Sequence, residues 1–302
     1  MNRATATGGI AILLWASLAA LAVVTRRLPP FETLTLSFAI AACGGIALLA
    51  ARGRLGRLCQ GVRAWTVGFL GIFFYHAFYF VALDRAPAAE ASLINYLWPL
   101  LIVLFSARLP GERLRARHLA GAALGLCGTA VIVLMRPGQS GAERGAESGA
   151  ALGYACAFAA AFIWAAYSVA NRRLRATPSD LIAGIAGLVA LAAALVHLAA
   201  EPTLMPRAPE WAALVALGLG PVGLAFFFWD HATKHGDLAM LGTLSYATPL
   251  LSTGLLVLCG EARAGLTLAL AAALIVGGAV VSVGWPSPAS LSRRPAASNP
   301  PR

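Results

Sequence analysis

Between Phe69 and Phe80, seven of twelve residues are Phe or Tyr (Phe69, Phe73, Phe74, Tyr75, Phe78, Tyr79, Phe80), and His76 is an eighth ring. Tyr75 and Tyr79 are four apart, which puts both on one face of a helix. They fall near the middle of an apolar run rather than at its ends, so they are not interfacial anchors. A phenol hydroxyl left in hydrocarbon without a partner costs several kcal/mol. Both must therefore face other helices or a wet cavity. One reading is a pocket whose rings grip an apolar ligand; the other is a packed aromatic core with hydroxyls bonded helix to helix. The density of rings favours the pocket.

A second polar stripe follows. Ser92, Asn95, Tyr96 and Pro99 recur at i, i+3, i+4 and i+7, one face of a helix. The Asn95 amide offers donors and an acceptor, a match for the ammonium and carboxylate of an amino acid. Trp98 lies beside the stripe and can stack on a ring. Ser245, Tyr246 and Pro249 form an equivalent stripe further on, and Trp164, Tyr167, Ser168 and Asn171 another. Serines inside spans also serve as helix glue, which suits Ser92 and Ser245 best. Asn171 sits at a helix end, where a cap or gate is the better reading. Phe226, Phe227, Phe228 and Trp229 repeat the aromatic theme, although rings there would equally suit packing against lipid.

Other chemistries lack their residues. No His, Asp and Glu grouping at ligand spacing falls within the apolar runs, so neither a metal site nor an enzyme's nucleophile and base is expected. No cofactor is expected either. The five cysteines are widely spaced, with no CxxC pair. All twelve acids lie in loops or at the ends of runs, with Glu90 and Asp230 deepest. Proton-coupled carriers place Asp, Glu or His inside their spans. Only His76 qualifies here, with His197 near a run's end.

The elements that must carry these residues follow from composition. The 302 residues are 59% hydrophobic and 12% charged, with mean hydropathy +0.77. A soluble surface needs about 25% charge, so a soluble enzyme is excluded. The net charge of +11 does not point to nucleic acid, because the basic residues are spread between apolar runs rather than gathered on one face. A membrane helix needs about 20 apolar residues. Runs of that kind lie near 8–25, 33–51, 65–83, 89–107, 119–135, 150–170, 181–199, 211–229, 239–259 and 265–285. The expected fold is an all-α membrane protein of ten spans in a lipid bilayer. The first run could alternatively be read as a signal peptide. All 23 basic residues fall outside the runs, 16 on the side holding the N-terminus and seven on the other. The positive-inside rule then puts both termini in the cytoplasm. The stretch 286–302, rich in Pro, Ser and Arg, is expected to be a disordered cytoplasmic tail.

The chain also matches itself. Trp15 and Pro29 align with Trp164 and Pro178 at an offset of 149, as do Gly111-Glu112 with Gly260-Glu261 and Gly128-x-Ala-Val with Gly277-x-Ala-Val. Tyr96-Leu-Trp-Pro-Leu-Leu aligns with Tyr246-Ala-Thr-Pro-Leu-Leu, and Tyr79-x-x-Ala with Trp229-x-x-Ala, at 150. The halves 1–149 and 150–285 would thus hold five spans each. Five is odd, so the repeats would be inverted, an arrangement typical of secondary transporters with a midplane site. Pro99, Pro249 and Pro221 lie within spans and are candidate hinges or static bends. Gly121, Gly125 and Gly128 form a close-packing surface, read as seating one span in the bundle rather than pairing two chains, and a monomer is expected.

Two five-span repeats, Trp15 with its echo Trp164, the Pro29-Pro30 pair, and the run from Tyr79-Phe-Val-Ala-Leu through Ala91-Ser92-Leu to Pro99-Leu together resemble the drug/metabolite transporter superfamily. The aromatic third span and Ile94-Asn-Tyr-Leu-Trp-Pro99 are most similar to its bacterial aromatic amino acid exporters. The resemblance implies an inner-membrane exporter of aromatic and other neutral amino acids. It also implies a cavity between spans 1–4 and 6–9, which brings Trp15 and Trp164 into the expected site with Tyr75, His76, Tyr79, Asn95, Tyr96, Trp98, Tyr167, Ser168, Ser245 and Tyr246. The superfamily's small multidrug exporters carry a glutamate in their first span; none is present near Trp15. Facilitated diffusion or exchange is therefore expected over obligate proton antiport. A proton-coupled exporter of another small metabolite or drug, and a scaffold without transport, are the alternatives.

Overall fold

The computed structural model describes residues 3–86, 88–110, 114–134, 150–258, 260 and 265–283. The expected tail at 286–302 and the repeat motif at Gly111-Glu112 lie outside them. Among the described residues there are helices and turns and no strands. Fourteen α-helices follow one another: α1 (Arg3–Ala16), α2 (Leu18–Thr25), α3 (Pro30–Ala51), α4 (Val62–Arg85), α5 (Ala88–Asn95), α6 (Trp98–Ser106), α7 (Ala116–Leu134), α8 (Ala150–Ala170), α9 (Leu181–Ala200), α10 (Ala208–Leu217), α11 (Ala225–His235), α12 (Leu238–Ser245), α13 (Ala247–Leu258) and α14 (Leu266–Val283).

Among the described residues, six helical stretches are long and apolar enough to cross a bilayer: Arg3–Thr25, Pro30–Ala51, Val62–Arg85, Ala150–Leu174, Leu181–Ala200 and Ala208–His235. Their outward faces carry Leu13, Leu70, Leu191, Leu195 and Leu198, all exposed. Exposed leucines along helices this long and apolar suit lipid rather than water. The chain is a multi-pass membrane protein. The expected run at 89–107 is divided into α5 and α6, and that at 239–259 into α12 and α13. Proline explains both divisions. Pro99 and Pro249 have no N–H for the carbonyls of Asn95 and Ser245, and the breaks fall at 96–97 and at Tyr246.

Pro221 acts differently. The helix continues through it as a wider π turn, Gly218–Leu224, joining α10 to α11. Gly223 makes that path possible, because a Cβ there would stand 2.5 Å from the Gly218 carbonyl oxygen.

Helix pairing sets the bundle. α1 packs on α11, α4 on α8, α3 on α9, α6 on α12 and α7 on α14. The α7–α14 seam is glycine-made: a Cβ on Gly121 would meet the Gly278 oxygen at 2.5 Å, and one on Gly278 would meet the Gly121 oxygen at 2.5 Å. Gly125 leaves room for the fully buried Tyr246 ring. The glycine triplet thus packs within the chain. At the end opposite Arg3, charged groups staple the α2–α3 corner to the α9–α10 corner. Arg27 makes a two-point pair with Glu210 at 2.8 and 2.7 Å. Glu201 accepts the Phe31 and Glu32 amides at 3.0 and 3.1 Å, a carboxylate on the positive end of α3.

Candidate functional site

The cavity stands on an aromatic layer. Trp15 of α1 contacts Trp164 of α8 (5.7 Å between ring centroids), Phe226 (5.9 Å) and Trp229 (5.1 Å) of α11, and Trp98 of α6 (6.5 Å). Most of these contacts are edge-to-face, the arrangement that ring quadrupoles prefer. Two indoles are fixed by hydrogen bonds: Trp15 Nε1 donates to the Pro221 carbonyl at 3.0 Å, and Trp229 Nε1 to Ser168 Oγ at 3.0 Å. The first bond attaches α1 to the π turn.

Above this layer lies a cavity of about 440 Å³. It extends from Trp15, Trp98 and Trp164 to Ala22, Thr25, Thr33, Thr248 and Ser252 at the end opposite Arg3. Its wall on α4 is the aromatic run. Tyr75 and Tyr79 stack at 6.1 Å and 14°, and Tyr75 also tilts against Trp164 at 5.1 Å. The His76 ring meets Phe38 edge-on at 5.5 Å, while its Nδ1 bonds the Ile72 carbonyl at 2.7 Å. The α5 stripe faces these phenols: Asn95 Nδ2 donates to the Tyr75 hydroxyl at 3.3 Å, and Tyr79 pairs with Ser92 at 3.1 Å.

Two polar atoms in this wall are buried without a hydrogen-bond partner, Asn95 Oδ1 and Thr248 Oγ1. An unmade bond at a buried acceptor is costly, and a ligand's N–H would relieve it. No Asp, Glu, Lys or Arg is among the described residues lining the cavity. The arrangement can therefore take a ring among rings and bond an amine at an amide oxygen. It sets no formal charge against the ligand.

Eight residues expected at the site line this one cavity: Trp15, Tyr75, His76, Tyr79, Asn95, Tyr96, Trp98 and Trp164. Four others are placed elsewhere. Tyr167 is buried in the α4–α8 contact, where a Cβ on Gly71 would meet its ring at 2.5 Å. Ser168 holds Trp229, Ser245 bonds the Leu241 carbonyl of its own helix, and Tyr246 packs on Gly125. Sequence reasoning did not single out Thr33, Ser37, Thr248 or Ser252, which also line the cavity, and it read Pro221, another lining residue, only as a candidate hinge or bend. It read the eighth run as ending at residue 229 with Lys234 in a loop. The helix continues to His235, and Asp230 and Lys234 are both buried, 2.7 Å apart. Opposite charges at i and i+4 were the available signal.

The chain covers known relatives almost end to end. It is 50% identical over 285 residues to the aromatic amino acid exporter YddG of Ancylobacter novellus, covering 93% of this chain and 98% of that one. It is 27% identical over 296 residues to the aromatic amino acid exporter YddG of Escherichia coli (93% and 96% of the two chains). A solved structure at 50% identity superposes with a TM-score of 0.87, over 92% of this chain and 96% of the other. The profile of the EamA-like transporter family matches residues 6–134 and 151–284. With nearly its whole length accounted for in this way, the chain belongs to the EamA-like transporter family of the drug/metabolite transporter superfamily.

Proposed function

We propose that the protein exports aromatic and other neutral amino acids across the bacterial inner membrane by alternating access, as a facilitator or exchanger. The observation that carries this reading is the ring-lined cavity with an unpartnered amide oxygen and no formal charge among its described lining residues. A zwitterion is neutral overall, so it needs no countercharge, and its side chain finds aromatic surface. The named activity of the relatives, aromatic amino acid export, agrees with that chemistry. The substrate contacts in this reading are Trp15, Tyr75, His76, Tyr79, Asn95, Tyr96, Trp98 and Trp164.

The working architecture is ten spans in two inverted repeats, 1–149 and 150–285, acting as a monomer with both termini in the cytoplasm. Two features support it. The family profile matches one stretch in each half. Exchanging the halves turns the α1–α11 pairing into the α8–α4 pairing and returns α3–α9 and α7–α14 to themselves. Repeats of this kind hold their site between them and rock about it.

The test is uptake of labelled Trp, Phe, Thr and Arg into liposomes containing the purified protein, with and without a pH gradient. Trp and Phe entry without a gradient is the expected result. Entry only with the gradient would favour proton coupling through His76, the one titratable side chain of Asp, Glu, His or Lys type among the described lining residues. No entry of any of the four would remove the substrate assignment.

A further inference from the structure

On the far side of the aromatic layer from the cavity, Asn171, Arg172, Asp230, Thr233 and Lys234 are all buried. They bind the end of α8 to the end of α11. Asn171 Nδ2 donates to Asp230 Oδ1 at 2.8 Å and to Thr233 Oγ1 at 3.1 Å. Lys234 Nζ donates to Asp230 Oδ2 at 2.7 Å and to the Thr177 carbonyl at 3.0 Å. Arg172 donates to the carbonyls of Lys234, at 2.9 Å, and Gly236. Arg175 Nε reaches the same Lys234 carbonyl at 3.1 Å. The start of α1 joins in, its Thr5 hydroxyl accepting the Asp237 amide at 2.9 Å.

A buried ion pair adds little net stability over an apolar replacement, and its best-attested use is to select one arrangement over another. The repeat offset shows what stands at the opposite end. Asn171 corresponds to Ala22 at 149 residues, and Asp230 to Phe80 at 150. Both Ala22 and Phe80 line the cavity, and neither side chain can hydrogen-bond. The Asn171–Asp230 hydrogen bond therefore has no counterpart at the matching positions of the other half.

We propose that the Asn171–Asp230–Lys234–Arg172 cluster is a lock that holds the bundle shut at the Arg3 end and makes the cavity-open arrangement the resting state. The proposal rests on the alternating-access reading above. Tyr167 keeps the lock releasable. Its hydroxyl is buried without a partner beside a void of about 10 Å³ that Asn171, Asp230 and Lys234 also line. An unpaired hydroxyl weakens the closed interface that contains it. Its ring lies 5.4 Å from that of Trp164 in the cavity floor, so the lock is one side chain away from the ligand.

The experiment uses the full chain without its native cysteines, carrying Ser252→Cys as a cavity reporter. Maleimide reaction rate at that position reads the open cavity. Backbone hydrogen exchange over 171–177 and 230–237 reads the lock. Asp230→Asn with Lys234→Met removes both charges together, so that neither is left buried alone. In that variant labelling should slow and lock exchange should quicken, each by about fivefold or more, as a shifted population requires. Tyr167→Phe should move lock exchange the other way. Asn171→Leu, which leaves the charges paired, serves if the double variant does not fold. Unchanged labelling and exchange in a folded lock variant would overturn the proposal. Neither readout needs a transported substrate, so failure of the substrate assignment leaves this result interpretable.

Discussion

Asn95 occupies the last turn of α5, one donor committed to Tyr75 and its oxygen buried in the cavity wall without a partner. A hydrogen bond to an ammonium group is charge-assisted and contributes about 1.5–3 kcal/mol. Asn95→Leu should therefore raise the half-saturation concentration for Trp roughly tenfold or more, measured as concentration-dependent liposome uptake. An unaltered value would show that the amine is held elsewhere. Helical spacing identified Asn95 and the Tyr75–Tyr79 pair because polar groups in an apolar run must face inward. The same spacing could not tell a cavity wall from a helix contact. Tyr246 shares the stripe logic of Tyr96, yet it is buried on Gly125 of α7, a partner more than a hundred residues away. Asp230 and Lys234 were hidden for a different reason. Charge was taken to end a span, whereas two opposite charges one turn apart satisfy each other inside it.

Prolines decide the behaviour of three helices. The breaks at 96–97 and at Tyr246 stand three residues or fewer before Pro99 and Pro249, where the carbonyls lose their N–H partners. The first break separates Asn95 from Trp98, so two cavity residues flank the interruption. Pro99→Ala restores the missing donor and favours one continuous helix. Its expected effect is slower Trp transport with little change in Trp binding, checked by comparing uptake rate with equilibrium binding; equal losses would mean that the proline only shapes the cavity. The positions of the prolines were plain in the sequence. That Pro221 would be absorbed as a π turn was not, since this depends on the glycines around it and on Trp15 holding its carbonyl.

Across the whole molecule, three layers lie in series: a cavity at the end opposite Arg3, a floor of tryptophans, and a buried polar cluster beneath it. Long apolar runs and a repeat offset near 150 residues made the helical scaffold readable, because each residue type alone reports lipid contact. Which end stands open is a matter of tertiary fit and left no periodic trace. The uncharged cavity has an electrical consequence. Moving one elementary charge through 100 mV takes about 2.3 kcal/mol, but a zwitterion carries no net charge across, and the charged side chains of the protein are back in place at the end of each cycle. Voltage should therefore do no work on the transport cycle. Trp in liposomes should reach the same final level under a potassium diffusion potential of either sign, and the direction of export would be set by the concentration ratio of the amino acid.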